Sequence, residues 1–184
     1  VQLSNWVKEI CKDREPDHGW QHMKDVATKS KEFFFNIFGC INEQNAEMFK
    51  KVMIVAWTHD ICDHKMKDCE ELKPKLWEFI FKIYPFEFNV LFEMTENVSF
   101  SKEMKMRAGG FDPIGYWEGI FGENCIILKI VQDADRFFAS GLIGIERCIQ
   151  YNRREILKMY GREPTPLETY KIVKEHYDDK LSKL

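Results

Sequence analysis

Apolar residues recur at helical spacing along almost the whole of this 184-residue chain, and no long period-2 alternation bounded by tight-turn dipeptides interrupts them. That pattern restricts the fold to the all-α class. It predicts helices at about 2–13, 20–39, 44–60, 70–83, 86–97, 100–108, 117–131, 132–157 and 165–182. Breaks are marked by Pro16-Asp17-His18-Gly19, Gly39-Cys40, Tyr84-Pro85, Gly109 to Gly115, and Gly161 to Pro166. The stretch from Gly109 to Gly115 is expected to be the one long irregular connection, and loops of that kind tend to carry binding residues. A chain of this length fits a single domain, 1–184, that buries a core without covalent staples.

Composition removes several function classes. The chain is 45% hydrophobic and 14% aromatic, too rich for a disordered segment, and a net charge of −3 gives no general attraction to nucleic acid. Six cysteines are scattered without a C-x-x-C pair, mostly inside apolar helical stretches, and read as reduced thiols acting as small hydrophobes. No apolar stretch approaches the ~20 residues that span a bilayer, and Val1-Gln2-Leu3-Ser4-Asn5 has no signal-peptide layout, so an intracellular, cytoplasmic protein is expected, with no membrane partner. The closing Ser182-Lys183-Leu184 either spells a peroxisomal address or is a helix end that happens to read this way. A homodimer is compatible with the composition, although nothing specifies one.

Against that background three polar positions stand out. The apolar run Val52-Met53-Ile54-Val55-Ala56-Trp57-Thr58 closes on His59-Asp60, two groups able to ligate a metal where a core helix should end. Side chains at i, i+4, i+7 and i+11 share a helix face. From His22 that face holds Val26, Phe33, Ile37 and Cys40; from Phe49 it holds Met53, Ala56 and Asp60. From Val131 it runs through Asp135, Phe138, Leu142, Ile145 and Ile149, with Asp133 on roughly the opposite side. His22, Asp60 and Asp135 are thus directed inward. A carboxylate in a core costs several kcal/mol unless charge and hydrogen bonds compensate it. No buried Arg is evident in the sequence as an alternative partner, and one divalent cation would satisfy all of these groups together. Two imidazoles and two carboxylates make a mixed nitrogen and oxygen set suited to Mn, Mg, Fe, Co or Ni rather than to a closed thiolate zinc site. Such a cation, with positions open, activates water and polarises a phosphoryl oxygen, which points to hydrolysis.

The same residues resemble a known family, the HD-domain metal-dependent phosphohydrolases, whose signature is H…HD…D. His18-Gly19-Trp20-Gln21-His22 is similar to the family's H-D-x-x-H opening. His59-Asp60-Ile61-Cys62-Asp63-His64-Lys65 is similar to its H-D-I-x-D-x-K stretch, and Ile130-Val131-Gln132-Asp133-Ala134-Asp135-Arg136 to its I-V-Q-D-A-D-R segment. Gly141-Leu142-Ile143-Gly144-Ile145 and Asn97-Val98-Ser99-Phe100-Ser101 resemble its G-A-I-G-I and I-S-F elements. The resemblance implies a single orthogonal helical bundle with its core motifs at about 15–157, metal ligands His22, His59, Asp60 and Asp135, and catalytic roles for Asp60 and Asp63. Asp63 would orient the attacking water or protonate the leaving oxygen; alternatively it is a turn residue bonding nearby backbone. Gly19 stands where the family has Asp, and Phe138 where it often has Asp. Both departures fall outside the implied ligand set and bear on the groups around it.

A phosphoryl substrate needs cations beside the metal, and His18, Lys65, Lys102, Arg107 and Arg136 are the candidates for substrate binding, with Lys65 and Arg136 foremost because each lies within five residues of a ligand. Trp20, Trp57 and Trp117 offer either base stacking or ordinary core. The expectation is a hydrolase acting on a nucleotide or similar small phosphoester, as phosphatase or pyrophosphohydrolase. The alternative is a non-catalytic module of the same fold that binds metal and nucleotide.

Overall fold

The computed structural model describes residues 2–14, 18–62, 68–179 and 181–183, and among them every regular element is helical. The order is α1 (Gln2–Ile10), α2 (Trp20–Phe38), α3 (Ala46–Thr58), α4 (Cys69–Ile83), α5 (Phe88–Glu96), α6 (Phe100–Ala108), α7 (Pro113–Phe121), α8 (Cys125–Ala139), α9 (Gly141–Tyr160) and α10 (Pro166–Asp179), with 3-10 turns at Gly122–Asn124 and Leu181–Lys183. None is long and apolar enough to cross a membrane. The chain divides into two compact units, Val1–Ala134 and Asp135–Leu184, and the division falls inside α8, which is itself unbroken.

In the first unit α2 packs most extensively on α3, which also meets α1 and α5, while α4 lies against α5. The faces that meet follow the apolar spacing. Met23, Val26 and Phe34 on α2, Val52, Val55 and Ala56 on α3, Leu76 and Ile80 on α4, and Leu91 and Met94 on α5 are all fully buried. Each large side chain of this kind contributes about 1.5–3 kcal/mol on leaving water. The α2 face departs from the expected one in its second half. Ser30 and Phe34 are buried there, whereas Phe33 is half-buried and Ile37 and Cys40 are exposed. Cys40 lies beyond Gly39, on which α2 ends, so the projected face does not reach it, while the buried Ser30 and Phe34 show that the contact runs to one side of that face.

Boundaries differ most between 109 and 160. The expected helix at 117–131 is two elements, because α7 begins earlier and ends at Gly122, whose φ of 52° suits a residue without Cβ. The start of α7 is fixed by Asp112, whose carboxylate accepts from the amides of Ile114 and Gly115, with Pro113 in the first helical position. The irregular stretch therefore shrinks to 109–112. The expected helix at 132–157 is likewise broken at Ser140, with Gly141 at φ 81°. Gly144 is required by close approach, since a Cβ there would fall 1.9 Å from the Ala139 carbonyl oxygen. The projected face from Asp135 through Leu142 to Ile149 thus ends near Phe138, and Leu142 is 79% exposed.

In the second unit α9 pairs with α10. A capping box opens α10: Glu168 accepts from the Thr165 amide at 2.8 Å and the Thr165 hydroxyl accepts from the Glu168 amide at 3.3 Å.

Candidate metal centre

His22 sits in the first turn of α2 and is buried, placed by the neighbouring core residues Met23 and Val26. His59 is the residue on which α3 closes, and Asp60 follows in a turn held by the Ile61 amide donating to the Thr58 carbonyl at 3.1 Å. Both are buried as well. Two packed helices thus bring the imidazoles together, with the Nε2 atoms of His59 and His22 3.3 Å apart. On α8, Asp135 is half-buried while Asp133 is exposed, which agrees with the inward phase read for Asp135.

One ligating atom from each of His22, His59 and Asp135 lies within 4.8 Å of the other two. The Asp60 carboxylate is adjacent, with Oδ2 3.5 Å from His22 Nε2 and Oδ1 3.9 Å from His59 Nε2. Asp60 Oδ2 is also paired with His18 Nδ1 at 2.9 Å, so His18 meets the ligand cluster through a carboxylate. Of the four residues expected as ligands, His22, His59 and Asp135 form the group within 4.8 Å, and Asp60 lies beside the two imidazoles.

The donor set fits a divalent cation. His59 Nδ1 lies 2.9 Å from the Ala56 carbonyl oxygen, which can only accept, so Nδ1 carries the proton and Nε2 of a neutral His59 presents a lone pair. That lone pair faces a second imidazole nitrogen and two carboxylates. Ligands ~2.1 Å from one ion stand ~3 Å apart at a right angle, close to the nitrogen separation here. Burial pushes the Asp60 carboxyl up, and this is outweighed by His59, by the hydrogen bond with His18 and by His22, which together hold it well below the usual carboxylate range. Asp60 is accordingly an anion at neutral pH, as a ligand must be.

Beside His59 opens a pocket of about 290 Å³, lined further by Cys62, Thr95, Glu96, Ser99, Lys102 and Lys105. It lies where α5 passes into α6, and Ser99 is the residue before α6 begins. Of the cations expected around the substrate, Lys102 lines this pocket, and Lys105, one helical turn on, was not anticipated. An i, i+3 pair of lysines following an S-F element was the available signal. Arg107 is engaged instead by Glu103, which it meets at 2.7 and 2.9 Å. Arg136 is half-buried on α8 next to Asp135. Asp63, His64 and Lys65 lie outside the described residues.

Among the described residues the lining of this pocket comes from α5, α6 and the residues around His59, and none of Gly109 to Gly115 is in it. Trp117 is core: 1% exposed, it donates its indole N–H to Asn97 Oδ1 at 3.3 Å. A buried Arg also exists where none was evident. Arg14, in the turn after α1, donates to the Asp60 and Ile61 carbonyls at 2.9 and 2.6 Å.

No protein-family model matches the chain, and no solved structure matches it. Among curated proteins the chain is similar to the uncharacterized protein YpgQ of Bacillus subtilis, at 26% identity over 165 residues that cover 88% of this chain and 70% of that protein.

Proposed function

We propose that this chain is a metal-dependent phosphohydrolase of the HD-domain type, acting on a nucleotide or similar small phosphoester. The observation that carries the proposal is the convergence of His22, His59 and Asp135, with Asp60 at the edge, beside a pocket bearing Lys102 and Lys105. His22, His59, Asp60 and Asp135 would hold one divalent ion. When bound, that ion supplies Lewis acidity toward water and toward a phosphoryl oxygen. The chain's own residues do the rest. Lys102 and Lys105 meet the anionic substrate from one side of the pocket, and Ser99 and Thr95 offer hydroxyls there. His18 holds the Asp60 carboxylate in place, and Asp63, three residues beyond Asp60 in sequence, is the proposed proton-transfer group.

The test is a screen of nucleoside mono-, di- and triphosphates with Mn, Mg, Co and Ni, reading phosphate and pyrophosphate release separately. Turnover that depends on metal and falls at least about a hundredfold in Asp60→Ala is expected. Asp60→Ala turning over at the wild-type rate would refute the assignment. Tight nucleotide binding with no turnover under any metal would instead identify a binding module of the same fold.

A further inference from the structure

Arg14 contacts none of the four implied ligand side chains in the hydrogen bonds described for it, yet its side chain is only 6% exposed and its guanidinium is spread over three partners. Nη1 donates to the Asp60 carbonyl at 2.9 Å and Nη2 to the Ile61 carbonyl at 2.6 Å. Nε and Nη2 donate to the two carboxylate oxygens of Asp68 at 3.1 and 2.9 Å, a bidentate pair. The base of Arg14 is itself fixed, because its amide donates to the Cys11 carbonyl at 3.1 Å, and α1 is anchored by the buried Val7 and Cys11.

The turn it grips is the one that follows α3. Carbonyls at a helix end have no partners within the helix and must find donors elsewhere. Here a charged, planar donor takes two successive carbonyls immediately after His59, while Asp68 fixes the plane of the fork. The same guanidinium also ties the chain on both sides, in sequence, of residues 63–67. We infer that Arg14 is a positioning residue for the metal centre: it sets the path of the backbone at Asp60 and Ile61, and through it the direction of the His59 and Asp60 side chains. This rests on the reading of His22, His59, Asp60 and Asp135 as a metal site. Groups that orient metal ligands are typically worth about 10–100-fold in affinity.

Mn²⁺ titration of metal-free wild type, Arg14→Ala, Arg14→Lys and Asp68→Asn, alongside melting temperature and amide exchange of the metal-free proteins, tests it. Lysine keeps the charge and stem but cannot serve two carbonyls and a carboxylate in one plane. Arg14→Lys is therefore expected to fold, to bind Mn²⁺ about tenfold or more weakly, and to exchange its Ile61 amide faster, with Asp68→Asn affected in the same direction but less. Wild-type affinity in Arg14→Lys would overturn the inference, as would a lowered melting temperature with unchanged affinity, the mark of a merely structural role. Should Arg14→Ala fail to fold, the lysine and Asp68 variants decide. Should the wild type take up no metal, the metal-site reading fails on its own, and unchanged Ile61 exchange in Arg14→Lys then refutes the positioning role independently.

Discussion

At the residue scale, the centre is built from groups whose surroundings settle their chemistry. His59 presents Nε2 because a carbonyl occupies Nδ1, and the Asp60 carboxyl is held below the usual range because His59, the hydrogen bond with His18 and His22 outweigh its burial. Cys62 stands in contrast. It lines the pocket beside His59, but burial pushes its thiol up to about 12, with Cys69 and Glu96 adding to the shift. A group with so high a pKa has almost no thiolate at pH 8, and the thiolate is the nucleophile. Cys40 is exposed. Iodoacetamide at pH 8 followed by peptide mass mapping should therefore label Cys40 well before Cys62. Faster labelling of Cys62 would show that its thiol is not held protonated.

At the element scale, helix phase explains what was legible and what was not. The all-α class follows from the spacing alone, and so does the choice of Asp135 over Asp133, because positions two apart lie about 200° apart on a helix and cannot share its inward side. The breaks at Gly122 and Ser140-Gly141 were harder to read, since glycines in an apolar run signal either a packed helix or a stop, and only the backbone conformation decides. Asp112-Pro113 was a readable start, an N-cap followed by proline at the first position, hidden by the glycines around it. Arg14 could not be read, because its partners lie 46 to 54 residues away and two of them are backbone carbonyls, which carry no sequence signal. From sequence alone Trp117 can be a stacking residue or core, because sequence does not show the acceptor of its buried indole N–H. That acceptor, Asn97, also donates to the Glu93 carbonyl at 2.7 Å, and its own carbonyl accepts from the Gln132 amide at 2.9 Å, so one residue ties α5, α7 and α8. Asn97→Ala strands the buried indole N–H and the Glu93 carbonyl and should cost about 1–3 kcal/mol in urea unfolding. A change within about 0.5 kcal/mol, the range of an inert surface substitution, would contradict this role.

At the scale of the whole molecule, His22, His59, the Asp60–His18 pair and the lysine pocket belong to the first unit, and Asp135 is the first residue of the second. The measurement that reaches the central claim most directly is metal content. The purified chain, stripped with chelator and titrated with Mn²⁺, should bind one ion per chain in wild type, and removing a ligand in His22→Ala or Asp135→Ala should weaken that binding at least about a hundredfold while the helical circular dichroism stays unchanged. Wild-type protein that binds no ion, or ligand variants that bind as tightly as wild type, would contradict it.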